Sequence, residues 1–227
     1  MKTLECRIDG GARIEVTVSR LVIAGWAGRD AHDVEHHIRE LEALGVKRPA
    51  SVPTFYKVAS ALLTTEGAID VVGAHSSGEV EVVLIQTASD GLLVGIGSDH
   101  TDRRVESYDV AVSKQMCAKP VSAALWRYAD VAAHWDSLIA RSWRIDGDAD
   151  PALYQEGTLA RLLRPDELIE RGFSAAAMPR GSAMFCGTQA VLGELSAGAG
   201  YELELHDPIL GRSLWHRYRV DALTHVE

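Results

Sequence analysis

The sequence predicts a β-rich α+β fold with its few helices at the periphery. Short runs rich in Val, Ile and Leu, bounded by Gly, Asp and Pro, recur along most of the chain, which is the signature of strands. Helical periodicity marks only two or three segments. Clean apolar–polar alternation in Tyr201-Glu202-Leu203-Glu204-Leu205 adds a half-buried strand near the end. The length of 227 residues suits one domain, 1–227, able to bury roughly 70% of its unfolded surface.

In order, residues 3–25 read as two or three short strands ending in Leu21-Val22-Ile23-Ala24-Gly25. A helix follows, with Asp30 as N-cap and Gly45 as stop. From Pro53 to Ile96 the pattern is mostly strands. A second helix is expected from Tyr128 to Ser142, with Val131, Trp135, Leu138 and Ile139 as its apolar stripe. An acidic turn, Asp146-Gly147-Asp148, precedes a short helix near Pro165 to Arg171. The last fifty residues return to strands, with a turn at His206-Asp207-Pro208.

Hydrophobic residues make up 47% and charged residues 24% of the chain, the balance of an ordinary globular protein. Lysine and arginine number 23 against 32 acidic residues, for a net charge of −9. No basic patch is present to attract nucleic acid, and an anionic ligand needs local cations in its site. Cys6, Cys117 and Cys186 are odd in number and scattered, as in a reducing compartment. With neither a signal-peptide core nor an apolar run of about 18 residues, no membrane association and a cytoplasmic location are expected.

The motif richest in chemistry is Gly78-Glu79-Val80-Glu81-Val82-Val83-Leu84-Ile85, followed by Val94-Gly95-Ile96-Gly97-Ser98-Asp99. Alternation sends Glu79 and Glu81 to one face of a strand and Val80 and Val82 to the other. Two carboxylates within roughly 7 Å resist joint ionisation unless a cation lies between them. Asp99, at the end of the next strand, supplies a third oxygen donor. Such a set suits Mg²⁺ or Mn²⁺, with Ca²⁺ also compatible. An E-x-E pair alone reads rather as a solvated strand face.

The surroundings of these carboxylates resemble the fumarylacetoacetate hydrolase superfamily. That family follows E-x-E, after about twenty residues, with G-N-D-x-[ST]-x-R-D; here the segment is Gly97-Ser98-Asp99-His100-Thr101-Asp102-Arg103-Arg104. Its K-S-F-D-x-x-x-P segment is matched by Lys114-Gln115-Met116-Cys117-Ala118-Lys119-Pro120. Its G-D-x-I-x-T-G-T-P-x-G-V-G segment is matched by Gly181 to Gly193, with Gly187-Thr188-Gln189 at the G-T-P position. Val34-Glu35-His36-His37-Ile38-Arg39-Glu40-Leu41 resembles N-Y-x-x-H-x-x-E-[LM], and the proline-punctuated run Pro49 to Lys57 follows. More narrowly, the chain is similar to a bacterial branch of the superfamily described as a domain of unknown function, DUF2848.

The resemblance implies a mixed β-sandwich roll like the superfamily's C-terminal domain, with peripheral helices. Residues 1–50 would form N-terminal strands and a lid-like helix, and residues 51–227 the catalytic core. It implies Glu79, Glu81 and Asp99 as metal ligands, His37 and Glu40 as a water-activating pair, and Lys114 as a cation facing substrate. Gly187 and Thr188 would hold a substrate carboxylate, with Gln189 beside them. Arg103 would add a positive group, or brace the turn through Asp102. A homodimer is also implied.

Two H-x-x-E spacings compete, His32 to Glu35 and His37 to Glu40. On a helical wheel, Val34, Ala31, Ile38, Leu41 and Leu44 define the buried stripe, His37 falls inside it at about −60°, and His32, His36 and Arg39 point away. From the helix alone His37 reads as a satisfied core histidine; it is the match of His36 to Leu41 with the family segment that makes His37 the expected catalytic histidine. The gap of twelve residues from Gly25 to His37 is twice the family's, which leaves His32 as the alternative.

The expected activity is a metal-dependent hydrolase of a small anionic 2-oxo acid or 1,3-dicarbonyl compound, proceeding through an enolate. A lyase on the same site (decarboxylase, hydratase or dehydratase) is the alternative, and a catalytically silent ligand-binding protein a second. Departures from the family pattern are Ser98 for asparagine, Arg104 for aspartate, Gln189 for proline and Glu106 where many members carry glutamine. A carboxylate accepts but does not donate, so Glu106 would favour a substrate hydroxyl or ammonium, or else pair with Arg103.

Overall fold

Eight strands form one curled sheet, in the order Arg13–Val18, Lys2–Ile8, Ala124–Arg127, Leu92–Ser98, Val80–Gln86, Ser182–Thr188, Arg20–Gly25, Thr54–Val58. The computed structural model describes residues 1–43, 47–147 and 149–223, without the side chains of His37, Glu40, Leu41 and Ala43. Leu4 and Cys6, near one end of the strand order, share an apolar cluster with Leu21 and Ile23 near the other. The sheet therefore bends round its own interior. A five-stranded sheet, in the order Ala152–Thr158, Ile139–Ile145, Gly200–Asp207, Arg212–Leu223, Ala68–Val72, covers the outer face. There Val80, Val82, Leu84, Val94 and Ile96 meet Tyr201, Leu203, Leu205, Leu214 and Tyr218.

The period-two rule explains where the carboxylates lie. Val83, Ile85 and Leu93 point into the curl. Glu81 and Glu79 continue the row of Val83 and Ile85, while Gly95, Gly97 and Asp99 continue that of Leu93. Glu81 pairs with Gly97, and Val83 with Gly95. The inward row thus changes from apolar to acidic as it reaches the mouth of the curl. The glycines are needed because another segment crosses them: a Cβ on Gly97 would lie 2.6 Å from the carbonyl oxygen of Pro120 and 2.9 Å from Val83.

Helix α1 spans Ala31–Ala43, and the Asp30 carboxylate accepts from the amides of His32 at 2.7 Å and Asp33 at 3.3 Å. The expected stop at Gly45 lies outside the described residues. Two helices not anticipated from periodicity, α2 (Arg103–Glu106) and α3 (Val110–Met116), follow Asp99. Asp102 and Asp109 cap them by accepting from Val105 and Val112.

The helix expected over Tyr128–Ser142 is shorter than its apolar stripe suggests. Helix α4 covers Tyr128–Val131 and a 3₁₀ segment Ala132–Ser137; Ile139–Ile145 is then a strand paired with Gly200–Asp207. Val131, Trp135 and Leu138 are buried as expected, but from Ile139 onward cross-strand pairing overrides the helical spacing. Helix α5, Pro165–Phe173, begins at its proline. Among the described residues no helix is long and apolar enough to cross a membrane.

Candidate active site

Oxygen atoms of Glu79, Glu81 and Asp99 lie within 4.8 Å of one another. Their surroundings differ sharply. Asp99, fully buried, is paired with Lys114 through Oδ2 and lies 2.9 Å from Lys119 through Oδ1. Lys119 also donates to the carbonyl of His100 at 2.6 Å. Glu79 receives Arg103 at 3.1 Å and Lys114 at 3.4 Å. Glu81, 3% exposed, has the amide of Gly187 at 2.7 Å and no ion pair of its own among the described residues.

The ionisation of the two buried acids follows from these partners. Burial raises the Glu81 carboxyl well above its ordinary 4.5, and Asp99 and Glu79 push it further the same way. Burial also works against the Asp99 carboxylate, yet Lys114 and Lys119 outweigh it and hold its pKa below the usual range. A buried carboxylate with no ion pair of its own among the described residues, at Glu81, and an all-oxygen donor set fit a hard divalent ion. The three residues named from the sequence are the ones that would hold it.

Arg103 does not brace the turn through Asp102. Its Nε donates to Ser77 at 2.7 Å, and its Nη1 reaches Glu79 and, at 2.8 Å, Glu106 Oε2. Asp102 is engaged as the cap of α2. Arg103 thus ties a candidate ligand to Glu106, and Glu106 itself lines the cleft.

That cleft has a volume of about 960 Å³. One wall is the acidic mouth of the sheet, with Tyr56, Glu106 and Lys114; the other includes α1, through His32, Asp33 and His36. The buried stripe of α1 contains Val34 and Ile38 as expected. His32 and His36 are exposed and off the buried stripe as expected, yet both line the cleft, because it runs along the flank of the helix rather than under its stripe. The side chains of His37 and Glu40 lie outside the described residues. Glu35, of the competing pair, is engaged by Arg39 and Arg48 at the surface.

Gly187, Thr188 and Gln189 also line the cleft, but the Gly187 amide and the side-chain donors of Thr188 and Gln189 are turned into the protein. Gly187 donates to Glu81, from a backbone at φ +95° where a Cβ would lie 2.8 Å from Ala27. The Thr188 hydroxyl donates to Val80 at 3.0 Å, and the Gln189 amide reaches the Thr158 carbonyl at 3.4 Å. Buried Gln155 organises this corner. It donates to Thr188 at 2.9 Å and to the Gln189 carbonyl at 2.6 Å, and accepts from the Val80 amide at 2.9 Å.

Sequence reasoning missed Gln155, Lys119, Tyr56 and Trp26. Trp26 lines the cleft at φ +59°, a left-handed conformation unusual for a bulky residue and typical of functional segments. Behind the ligands, Ser98 accepts from the Glu79 amide at 3.2 Å and from the Tyr218 hydroxyl at 2.8 Å. His100 joins Tyr218 at 3.0 Å to Ser76 at 2.9 Å. Burial first, then Lys119 and Arg103, lower the His100 pKa to about 3, so this imidazole is a neutral strut.

Among solved structures, the fold is similar to that of a protein named Cg1458, crystallised with an inhibitor, at 18% identity and a TM-score of 0.66 over 93% of this chain and 81% of that one. It is similar to 2-keto-3-deoxyarabinonate dehydratase at 14% identity and a TM-score of 0.66, over 92% and 76%. A third structure, 2-keto-3-deoxy-D-arabinonate dehydratase complexed with magnesium and 2,5-dioxopentanoate, aligns at 12% identity and a TM-score of 0.62, over 91% and 75%. At such identities the likeness establishes the fold. No curated protein matches the sequence. A family model does, over residues 24–218, and the chain belongs to that family, the protein of unknown function DUF2848.

Proposed function

We propose that this protein is a Mg²⁺-dependent lyase of a small 2-oxo acid, of dehydratase type, on the β-sandwich roll implied by the superfamily resemblance. The observation that carries the reading is the convergence of Glu79, Glu81 and Asp99 within 4.8 Å at a cleft that also holds Lys114 and Glu106. The dehydratase with magnesium and 2,5-dioxopentanoate supports both the metal and the reaction class. When bound, a divalent ion supplies Lewis acidity toward the oxygens of the 2-oxo acid.

The chain's own residues do the rest. Lys114 brings positive charge to the cleft of an otherwise acidic protein and meets the substrate anion, while Arg103 holds Glu79 and Glu106 from behind. Glu106, held by Arg103 through Oε2, offers its other oxygen to a substrate hydroxyl. Tyr56 lies under the Lys114 ammonium, 5.8 Å from its ring centre, and narrows the entrance. Loss of water requires a base to take a proton from C3 and an acid to return one to the departing hydroxyl. The histidines of α1 are the candidates for that exchange. The same helix supports hydrolysis as a second reading, because His32 and His36 line the cleft where water would be activated.

The test is a panel of 3-deoxy sugar acids, acylpyruvates and oxaloacetate with Mg²⁺, following carbonyl product, pyruvate and CO₂. Dehydration of a deoxy sugar acid, abolished by chelator, is the expected result. Cleavage of acylpyruvates alone would favour the hydrolase, and no metal-dependent turnover of any member would defeat both.

A further inference from the structure

The carboxylate pocket is not short of positive charge everywhere; it is short of it at Glu81. Glu79, Asp99 and Glu106 face Lys114, Lys119 and Arg103, so Glu81, once ionised beside a bound cation, leaves one negative charge in excess. Lys119 and Arg103 are fixed from behind, the first by the His100 carbonyl and the second by Ser77. Lys114 is placed differently. Its ammonium contacts Asp99 and Glu79, two of the three candidate ligands, from a helix whose cleft side also presents Val110. Its other neighbour is the face of Tyr56, and unlike Lys119 and Arg103 it lines the cleft.

We propose that Lys114 is the resident cation of this pocket: a divalent ion competes with its ammonium for Asp99 and Glu79, and the displaced ammonium is received by the anionic substrate. This rests on the metal-site reading above and adds an order to it. Exchange for a divalent ion leaves the pocket and the freed ammonium together with one positive charge in excess, which one substrate carboxylate neutralises. Metal and substrate anion therefore bind cooperatively, and the coupling passes through Lys114. Couplings of this kind are worth about 5- to 150-fold in affinity and are reciprocal.

Calorimetric titration with Mg²⁺, with and without saturating pyruvate as the probe anion, tests this. In the wild type, pyruvate is expected to tighten Mg²⁺ binding by about tenfold or more. Lys114→Met is expected to bind Mg²⁺ about tenfold or more tightly without pyruvate and to lose most of the gain from it. Lys114→Arg keeps a competing cation and is expected to stay weak. Thermal melts check folding, and Lys114→Gln is read instead if the methionine variant is unfolded. Unchanged or weaker Mg²⁺ binding in both neutral variants would overturn the competition and make Lys114 a support for Asp99. Absence of Mg²⁺ binding at millimolar concentration in every protein, wild type included, would overturn the metal site itself along with this inference.

Discussion

Asp99, behind the sheet wall of the cleft, is fully buried between two lysines, whereas His32 and His36 on the helix wall are exposed. The sheet wall is set by register: Glu81 opposite Gly97, Thr188 opposite Glu81, and an amide from Gly187 closing the corner. To move one carboxylate is to break a ladder. The helix wall rests on Val34 and Ile38, on the Asp30 cap, and on Arg29 clasping Asp136 at 2.8 and 3.0 Å. Among its further ion pairs, those of Glu35 with Arg39 and Arg48 and of Glu42 with Arg48 are of the surface kind that contributes little. The wall that holds charge is fixed by strand register, and the helix wall by fewer and more exposed contacts. Substitutions should divide accordingly, into those that change metal binding and those that change turnover alone.

The largest effect belongs to the sheet wall. Asp99→Asn and Glu81→Gln should each weaken Mg²⁺ binding by roughly 100-fold or more, beyond the range of outer-shell changes, with the fold intact by circular dichroism. Glu81→Gln has a second consequence. In the folded protein this carboxyl keeps its proton above its ordinary 4.5, so its contribution is most favourable below that value and is lost as pH rises through the folded pKa. Metal-free wild type should therefore lose stability relative to Glu81→Gln as pH is raised from about 5 upward. Melts in chelator at several pH values check this, and parallel curves would mean that Glu81 already has a cation.

The helix wall predicts a smaller and cleaner change. If α1 supplies the proton-handling group, one of His32→Ala, His36→Ala and His37→Ala should cost roughly 10²-fold in kcat while Mg²⁺ affinity stays within twofold. Steady-state kinetics beside calorimetry decide it. A metal affinity that falls together with kcat would erase the division between the walls. Three small effects on kcat would leave the helix as a cover.

The same division explains what was legible in the sequence. The sheet wall could be read because strand periodicity is local: Glu79-Val80-Glu81 and Gly95 to Asp99 fix their own faces. The crossing of Lys119-Pro120 over Gly97 could not be read that way, because it depends on a contact between segments. Gly95 and Gly97 were nevertheless its signal, since paired glycines in a strand mark close approach of another backbone. Helices α2 and α3 are too short for periodicity, although Asp102 and Asp109 stood in sight as caps. The wheel found the buried face of α1 but not the cleft along its flank. Arg103 was read as a choice between the site and Asp102, and its actual partners, Glu79 and Glu106, are reached across a turn and a helix.

Glu106 gives the smallest effect and the finest test, since it belongs to the sheet wall by its Arg103 contact and to the cleft by its exposure. Arg103 holds Oε2 at 2.8 Å and, from the same nitrogen, Glu79 at 3.1 Å. If Oε1 accepts from a substrate hydroxyl, Glu106→Gln removes half of that acceptor capacity and offers an amide donor in its place. A mismatched buried polar group costs about 1–3 kcal/mol, which is roughly ten- to a hundredfold in selectivity. The ratio of kcat/KM for a 3-deoxy sugar acid over a plain 2-oxo acid should fall by about that factor, with Mg²⁺ affinity unchanged. If Glu106 only steadies Arg103, the loss should fall equally on both substrates and metal affinity should drop, because Arg103 then shifts its hold on Glu79. Measuring both substrates and the metal in one variant separates specificity from support, and a uniform loss would move Glu106 wholly into the scaffold.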